Sequence, residues 1–213
     1  MSAAQLRMRV LERPAGPGWS AFAALYRASF PAHEREPLAD IAVRLHEGRY
    51  RLTLARLDDR VAGFHLIDRV PALDHAMLCY LAVAPELRGR GLGRHIARHC
   101  FAHYAEPGIH WLFIEAAERQ ARFYGRLGAL RLDLDYAVPH FTDPGTTPMQ
   151  LMALCRPRAP DRVGRDFLCR IIEHVFIDGY GLGRGDPRLA AQCARVPDAV
   201  ALEPWPPQGD DHA

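Results

Sequence analysis

The chain has 213 residues, 49% of them hydrophobic and 24% charged, which is ordinary for a soluble globular protein with one domain, or one domain and an extension. A net charge of +2 gives no electrostatic sign of a nucleic-acid partner, and the lack of any run of about 18 apolar residues predicts no membrane span. The five cysteines form no Cys-x-x-Cys pair and the N-terminus has no apolar signal core, which favours a reduced protein of the cytoplasm without a disulfide framework.

Apolar residues recur at helical or strand spacing through the first 90 residues. Phe22, Leu25 and Tyr26 share one face of a helix that follows a break at residues 14–18. The predicted elements of this part are a strand at Leu6–Leu11, helices at Trp19–Phe30 and Leu38–Glu47, and strands at Tyr50–Leu57, Arg60–Val70 and Met77–Val83.

The same patterns continue to residue 154, where a Pro/Gly/Thr-rich loop over residues 139–148 separates the last two strands. The predicted elements here are helices at Gly91–Tyr104 and Glu118–Leu127 and strands at Trp111–Glu115, Leu130–Val138 and Met149–Leu154. The whole order predicts an α/β chain (an α+β mixed sheet) with helices flanking the central sheet.

The last 58 residues form a predicted extension, so we divide the chain into a domain over residues 1–155 and an extension over 156–213. Val163, Phe167 and Ile171 begin a helical apolar stripe that continues to about Asp178, and a short helix follows Pro187. The stripe must pack on the main domain or on a second copy of the chain, which could make a homodimer. The Pro-rich, acidic tail from Pro204 to Ala213 is predicted to be disordered.

The segment Arg88-Gly89-Arg90-Gly91-Leu92-Gly93 has the composition of an anion-binding turn. It follows an apolar strand and opens a helix, so glycine lets the backbone approach an anion and the first helical N–H groups point at it. The spacing is Arg-x-x-Gly-x-Gly. It therefore lacks the defining positions of the P-loop and of the dinucleotide fingerprint.

Two blocks of the chain resemble the GNAT superfamily of acyl-CoA-dependent N-acyltransferases. Residues 81–94 (LAVAPELRGRGLGR) resemble its acyl-CoA signature, and residues 121–129 (ARFYGRLGA) resemble its later helix and the turn after it. The resemblance covers roughly residues 6–155. It implies the GNAT fold and an N-acetyltransferase that moves an acetyl group from acetyl-CoA, as co-substrate, to a primary amine of a small molecule or peptide by direct attack in a ternary complex. From the charge, the apolar pattern and the spacing of the histidines, we expect no metal, no nucleic-acid partner and no membrane partner.

By resemblance, the strand and the turn after it hold the co-substrate. The backbone of the strand would pair with the pantetheine arm, the N–H of Val83 would donate to the oxyanion, and the turn would bind the phosphates through its N–H groups and arginines. The implied binding residues are Leu81, Ala82, Val83, Arg88, Gly89, Arg90, Gly91, Leu92, Gly93 and Arg94.

The resemblance assigns a residue to the general acid but leaves the general base open. Tyr124 aligns with the tyrosine that protonates the leaving thiolate in the family. Ala117 stands where the family often has an asparagine that contacts the cofactor arm. For the base, Glu115 at the end of a buried strand could take a proton from the amine, or could instead cap a helix or pair with an arginine. Asp74 and His75 are weaker candidates, and an ordered water could serve.

Two glutamates and a row of three histidines each allow either a binding role or a simple surface role. Glu34 and Glu36 lie in the loop that shapes the acceptor pocket in this fold, where they would suit a cationic amine or simply face solvent. His95, His99 and His103 repeat every four residues, a spacing that can chelate a metal, although a half-exposed row beside the buried face explains it as well.

Two other functions are compatible with the same residues. The chain could be a catalytically weak acyl-CoA-binding module that acts as a sensor or partner, which Ala117 and the lack of an obvious base would allow. It could also be an acyltransferase that takes a longer acyl-CoA or an acyl-carrier protein, whose acidic surface would suit the arginine-rich turn.

Overall fold

A computed structural model describes residues 6–207 of the chain. Three single-turn 3₁₀ helices and one π-helical turn, Val175–Gly179, add to the longer helices. The α-helices are α1 (Gly16–Ser29), α2 (Leu38–His46), α3 (Leu92–His103), α4 (Glu118–Gly125), α5 (Arg165–His174) and α6 (Pro187–Ala194).

The strands of the described residues join into one sheet in the order β1-β2-β3-β4-β5-β8-β6-β10-β9, with β7 paired to β8. Only the β4–β5 pair is parallel, so the predicted mixed sheet is confirmed. The strands are β1 (Leu6–Val10), β2 (Tyr50–Leu57), β3 (Arg60–Val70), β4 (His75–Val83), β5 (Trp111–Ala116), β6 (Leu130–Leu132), β7 (Tyr136–Pro139), β8 (Thr146–Cys155), β9 (Arg162–Gly164) and β10 (Ala199–Pro204).

Side-chain alternation along the strands divides the core between the two faces of the sheet. On β5, Leu112 and Ile114 pack with the apolar residues of α3 and α4. Trp111 and Phe113 point to the opposite face, where they pack with the apolar side of α5. The helices α1 and α2 cover this second face over β2 and β3. Each face of the sheet is therefore closed by a helical layer, as expected for a mixed α/β fold.

The predicted strand over Leu130–Val138 is wrong in one respect, because the structure divides it into β6 and β7. Both pieces pair with the same edge of β8, but the segment from Asp133 to Asp135 bends out between them. In the bend the N–H of Asp133 donates to the carbonyl of Ala201 at 3.0 Å, so the extension takes over the pairing there. The alternation of apolar and polar residues predicts a strand, but it does not show where the backbone changes its hydrogen-bonding partner.

The extension packs on the sheet. Leu168, Ile171 and Ile172 of α5 are buried in the same cluster as Phe113. The strand β10, which the sequence did not predict, pairs antiparallel with β6. These contacts cover the helical stripe within one chain, and a homodimer through this segment stays a prediction.

The expectation that the tail is disordered from Pro204 onward is wrong for its first residues. Pro204 ends β10, and the ring of Trp205 lies under the guanidinium of Arg131, 4.5 Å from the ring centre. The packing of Trp205 on the apolar cluster of α3 and α4 and its cation–π contact outweigh the proline-rich composition at this point. Residues 208–213 lie outside the described part of the chain. Among the described helices, none has the length and apolar character needed to cross a bilayer.

Candidate active site

The parallel strands β4 and β5 separate part-way along their length. They pair from His75 with Trp111 to Leu78 with Ile114, and β4 then continues to Val83 without this neighbour. The parting coincides with a bulge, since β3 pairs Leu66 with Tyr80 and Ile67 with Leu78, so that Cys79 is extra. We call the opening that follows Leu78 and Ile114 the fork.

The free edge of β4 at the fork presents backbone N–H groups that have no strand partner within residues 6–207. The N–H of Ala84 donates to Ala62 on β3, and successive residues of a strand point to opposite edges. The N–H groups of Leu81 and Val83 therefore point into the fork, whereas those of Ala82 face β3. Unpaired strand groups are a template for an extended ligand, which fits the role predicted for this strand in holding a pantetheine arm.

The turn after β4 has the conformation that its glycines predicted. Gly89 and Gly91 adopt φ values of 75° and 79°, in the left-handed region that glycine occupies at little cost. Gly91 is the N-cap of α3, so the N–H groups of Leu92, Gly93 and Arg94 have no acceptor in the helix. Free N–H donors at the positive end of a helix dipole are the arrangement that binds anions at helix N-termini, which fits the phosphate-binding role predicted for this turn.

The arginines of the turn differ in what they contact. Arg90 and Arg94 are exposed and make no ion pair within residues 6–207, so both guanidiniums are available to an anion. Arg88 instead reaches back and donates to the carbonyl of Val83. The predicted phosphate residues therefore lie together, with Arg88 connecting them to the end of the strand.

Tyr124 lies on the α3/α4 face of the sheet. Its ring packs 6.2 Å from Phe101 and belongs to the cluster against which Leu81 packs. Its hydroxyl makes no hydrogen bond within the described residues, and burial raises the pKa of this phenol above its ordinary value. Ala117 is the N-cap of the same helix and offers no side-chain acceptor there. Tyr124 thus remains a protonated phenol with a free O–H at neutral pH.

An open cavity of about 830 Å³, including its mouth, lies on the opposite face of the sheet. Four carboxylates line it, and no lysine or arginine does so among the described residues. Aromatic and sulfur-containing side chains supply most of the remaining wall. These are Phe30, Tyr50, Met77, Cys79, Tyr80, Phe141, Met149 and Tyr180. The cavity is both acidic and apolar, which suits a cation that carries a hydrocarbon or aromatic body.

The cavity meets the fork from the other side of the sheet. Cys79 and Glu115, the residues that directly follow the last β4–β5 pair, both line it. A group bound along the free edge of β4 and a group bound in the cavity would therefore meet where the strands part. The sequence predicts Glu115 at the end of a buried strand, and the structure places its side chain in the cavity wall.

Glu115 is held by two phenols. Tyr136 donates to Oε1 at 2.5 Å and Tyr180 donates to Oε2 at 2.7 Å, and no cation pairs with it among the described residues. Burial raises the pKa of the carboxyl, while the two hydrogen bonds act in the opposite direction. The expected helix cap or arginine pair is not what the structure shows. Sequence reasoning missed both tyrosines, because each comes from an element distant in the chain.

Glu36 and Asp68 are buried carboxylates with basic partners behind the cavity wall. Arg44 donates to Glu36 at 2.5 Å and Tyr50 donates to it at 2.9 Å, yet burial dominates and raises the pKa of Glu36 to about 7. Burial also acts to raise the pKa of Asp68. The bidentate hydrogen bonds of Arg49, at 2.8 and 2.6 Å, outweigh it and lower that pKa overall.

The predicted acceptor residues Glu34 and Glu36 both line the cavity, at different depths. Glu36 is only 4% exposed, whereas Glu34 lies at the rim, 3.7 Å from the ring nitrogen of His33. Asp68 completes the acidic wall, and its position near the end of β3 gave no local signal. The simple reading of a fully solvated loop is therefore wrong for Glu36.

The weaker base candidates lie away from the fork. Asp74 and His75 stand at the start of β4, at the opposite end of the strand from Val83. Asp74 accepts from His110 at 2.6 Å, and His75 is fully buried. Both residues lie too far along the strand to line the cavity, although their side chains could accept a proton.

The histidine row on α3 has another partner on β3. The rings of His99 and His103 stack at 4.3 Å, and His65 approaches His99 at 3.2 Å between ring nitrogens. Within residues 6–207, no group of three or more His, Cys, Asp or Glu side chains is arranged to hold a metal ion.

Comparison with known proteins decides the family. The model of the acetyltransferase (GNAT) family matches residues 19–129, slightly more than half of the chain. The chain belongs to the GNAT family. It is thus an acetyltransferase, and the matched region contains the fork, the turn after β4 and α4. A search of curated proteins finds no match to this acetyltransferase.

Solved structures share the fold at low sequence identity. A protein of Bacteroides thetaiotaomicron assigned to the GNAT family has a TM-score of 0.68 at 19% identity, over 83% of this chain and 99% of that one. The ribosomal-protein-S18-alanine N-acetyltransferase of Escherichia coli has a TM-score of 0.54 at 22% identity, over 74% and 97%. The spermidine/spermine N-acetyltransferase SpeG of Vibrio cholerae has 0.55 at 15%, over 71% and 95%. At these identities the likeness establishes the fold of the acetyltransferase.

Proposed function

We propose that this acetyltransferase transfers an acetyl group from acetyl-CoA to the primary amine of a small cationic molecule, by direct attack in a ternary complex. The observation that carries the proposal is the meeting of the fork and the acidic cavity at Cys79 and Glu115. Donor and acceptor would then approach the same point from opposite faces of the sheet, which is the arrangement that direct transfer needs.

The donor side of the proposal rests on unpaired backbone N–H groups. The first turn of α3, with Arg90 and Arg94, would bind the phosphates, and the free edge of β4 would hold the pantetheine arm. The N–H of Val83 points into the fork, where it would donate to the thioester oxygen as that oxygen becomes negative. One such donor typically contributes about 10²–10³ in rate.

The proton transfers would fall to one residue on each face. Glu115, directly or through a water, would take a proton from the ammonium, and the free amine would then attack the carbonyl carbon. As the carbon–sulfur bond breaks, Tyr124 would give its proton to the departing thiolate. General acid–base help of this kind is typically worth about 10²–10⁴ in rate.

The lining of the cavity favours a small acceptor over a peptide. Aromatic and sulfur-containing side chains and four carboxylates converge on one recess, which is the composition typical of small-molecule sites. Glu115 carries no cationic partner among the described residues, so an ammonium group would supply the missing charge. The aromatic rings would hold the apolar body of the same molecule.

Two further expectations accompany this proposal. We place the acetyltransferase in the cytoplasm, because all five cysteines are free thiols. We also keep the division into a transferase domain over residues 1–155 and an extension over 156–213, the extension contributing to the acceptor side.

The proposal is tested by the release of CoA thiol from acetyl-CoA in the presence of an amine panel. The panel contains primary amines with alkyl or aromatic bodies, a polyamine, and peptides with free N-termini or lysines, with the acetylated product identified by mass. We expect small apolar amines to be acetylated and Glu115→Gln to lose at least tenfold in kcat/KM. Acetylation of peptides alone would contradict the small-molecule acceptor, and binding of acetyl-CoA without turnover of any amine would favour the sensor module.

A further inference from the structure

We infer that Tyr180, from the C-terminal extension, is a positioning residue for Glu115 and that the acceptor site is incomplete without it. This inference rests on the proposed function in so far as Glu115 is the base. It assigns a role in the site to the part of the chain that lies beyond the GNAT match, which ends at residue 129.

The hydrogen bonds to Glu115 define the orientation of its carboxylate. Tyr180 donates to Oε2 at 2.7 Å and Tyr136 donates to Oε1 at 2.5 Å, so each oxygen receives one phenol. Burial raises the pKa of both phenols, and both therefore remain donors throughout the neutral range. Two neutral donors stabilise the ionised carboxylate without cancelling its charge, and each oxygen keeps a lone pair for an ammonium group.

Several contacts fix Tyr180 where it can reach Glu115. It directly follows the π-helical turn Val175–Gly179, a type of irregularity that is frequent at functional sites. Arg44 of α2 donates to the carbonyl of Asp178 within that turn. The centre of the Tyr180 ring lies 4.8 Å from that of Phe141, which belongs to the loop between β7 and β8 and also lines the cavity.

The same segment contributes directly to the cavity wall. Val175, Gly179 and Tyr180 line the cavity together with residues of the domain that precedes them. The pairing of Tyr180 with Phe141 joins the extension to the loop over residues 140–145, which is shorter than the predicted loop because β8 begins at Thr146. Tyr180 thus has two roles. Its ring forms part of the wall around the acceptor, and its hydroxyl donates a hydrogen bond to Glu115. Only the second role requires the hydroxyl group.

The Tyr180→Phe variant separates these two roles, because it keeps the ring and removes the donor. A hydrogen bond donated to a carboxylate stabilises its ionised form, so loss of the Tyr180 hydroxyl should raise the pKa of Glu115 by about one unit. A smaller fraction of the Glu115 carboxyl would then be ionised at neutral pH. Only the hydrogen bond from Tyr136 to Oε1 would still orient it.

The test follows the titration of Glu115 itself by carbon-13 NMR of the full chain labelled at glutamate carboxyls, with Glu115→Gln identifying the signal. We expect Tyr180→Phe to raise the Glu115 pKa by about one unit. Tyr104→Phe is the matched control, since Tyr104 donates to the carbonyl of His110 outside the site, and it should leave the titration unchanged. An unchanged Glu115 titration in folded Tyr180→Phe would overturn the inference.

A second variant covers the case in which Tyr180→Phe does not fold. Incorporation of 3-fluorotyrosine at position 180 makes the phenol a stronger donor at almost the same size, and it should lower the Glu115 pKa. Equal titration with tyrosine and fluorotyrosine would overturn the inference as well.

The activity readout distinguishes failure of this inference from failure of the proposed function. For an acetylated amine, Tyr180→Phe should move the acidic limb of kcat/KM upward by the same shift and leave the affinity for acetyl-CoA unchanged. Full activity in Glu115→Gln would remove Glu115 as the base and contradict that part of the proposed function. The NMR titration would still decide whether Tyr180 controls the carboxyl.

Discussion

Arg88 donates a hydrogen bond from Nε to the carbonyl oxygen of Val83, at a distance of 3.2 Å. The N–H and the carbonyl of Val83 both point away from β3, into the fork. The bond therefore connects the anion-binding turn to the end of the strand where the oxyanion donor is proposed. Phosphate binding and orientation of that donor would depend on the same short segment, residues 83–94.

Gly91 is the position in this segment that most sharply tests the phosphate site. Gly91→Asp places a negative charge at the N-terminus of α3, where the phosphates are expected, so we predict roughly a hundredfold or more weaker binding of acetyl-CoA by equilibrium dialysis. Gly91→Asn is the matched control, because Asn has nearly the same shape, also tolerates a positive φ, and carries no charge. Equal losses in the two variants would assign the effect to the backbone and contradict the charge argument.

Tyr124→Phe tests the proposed acid. Burial keeps this phenol protonated at neutral pH, so we expect its loss to lower kcat at least tenfold with little change in the affinity for acetyl-CoA. Tyr104→Phe, which loses a hydroxyl elsewhere on the same face, should keep its turnover. If Tyr124→Phe turns over normally while chemistry limits the rate, as judged by pre-steady-state kinetics, Tyr124 is not the acid.

The buried His75 predicts a loss of stability in mild acid. Burial lowers its pKa to about 4, whereas an unfolded histidine titrates near 6.5. Between these values the unfolded chain binds a proton that the folded chain excludes, so stability falls as the pH drops through 6.5. The loss amounts to on the order of 2 kcal/mol at pH 5 relative to pH 8.

His75→Phe should reduce this pH dependence by about that amount, measured by urea denaturation at both pH values. His46→Gln, at an exposed position on α2, serves as the control and should behave like the parent chain. An identical drop from pH 8 to pH 5 in His75→Phe and the parent would contradict the assignment to His75.

Gly125 tests whether the start of the tail is packed as the structure shows. A Cβ atom at this position would lie 1.7 Å from the carbonyl oxygen of Trp205, so the backbone of the tail must move to admit it. We expect Gly125→Ala to lower the free energy of unfolding by about 1–3 kcal/mol. Gly183→Ala, where a Cβ meets nothing within 4 Å, should stay within about 0.5 kcal/mol of the parent chain.

Much of the fold was predictable because its signals are local. The helix α3 is predicted by the spacing of its apolar residues. The turn before it is indicated by Gly89 and Gly91, because glycine readily adopts the positive φ found at both positions. The division of β6 from β7 and the strand β10 were not predictable in this way. Both depend on pairing between residues 130–133 and residues 201–204, which lie far apart in the chain.

The candidate site likewise combines a part that is local in the sequence with a part that only the tertiary fold brings together. The anion-binding turn is one continuous segment, so its residues could be listed from the sequence alone. The surroundings of Glu115 could not be derived, because Tyr136 and Tyr180 approach it from a short strand and from the extension. Asp68 was missed for a similar reason, since only the tertiary fold brings it to the cavity that Glu36 lines.

The central claim is that the fork and the turn after β4 bind an acyl-CoA, and calorimetric titration of the full chain tests it most directly. Acetyl-CoA, free CoA and a longer acyl-CoA should each be titrated against the same preparation. We predict micromolar binding of acetyl-CoA, with free CoA binding through the same phosphate contacts and the longer acyl-CoA binding no more tightly than acetyl-CoA. Tighter binding of the longer acyl-CoA would reassign the donor, and no binding of any of the three would contradict the account.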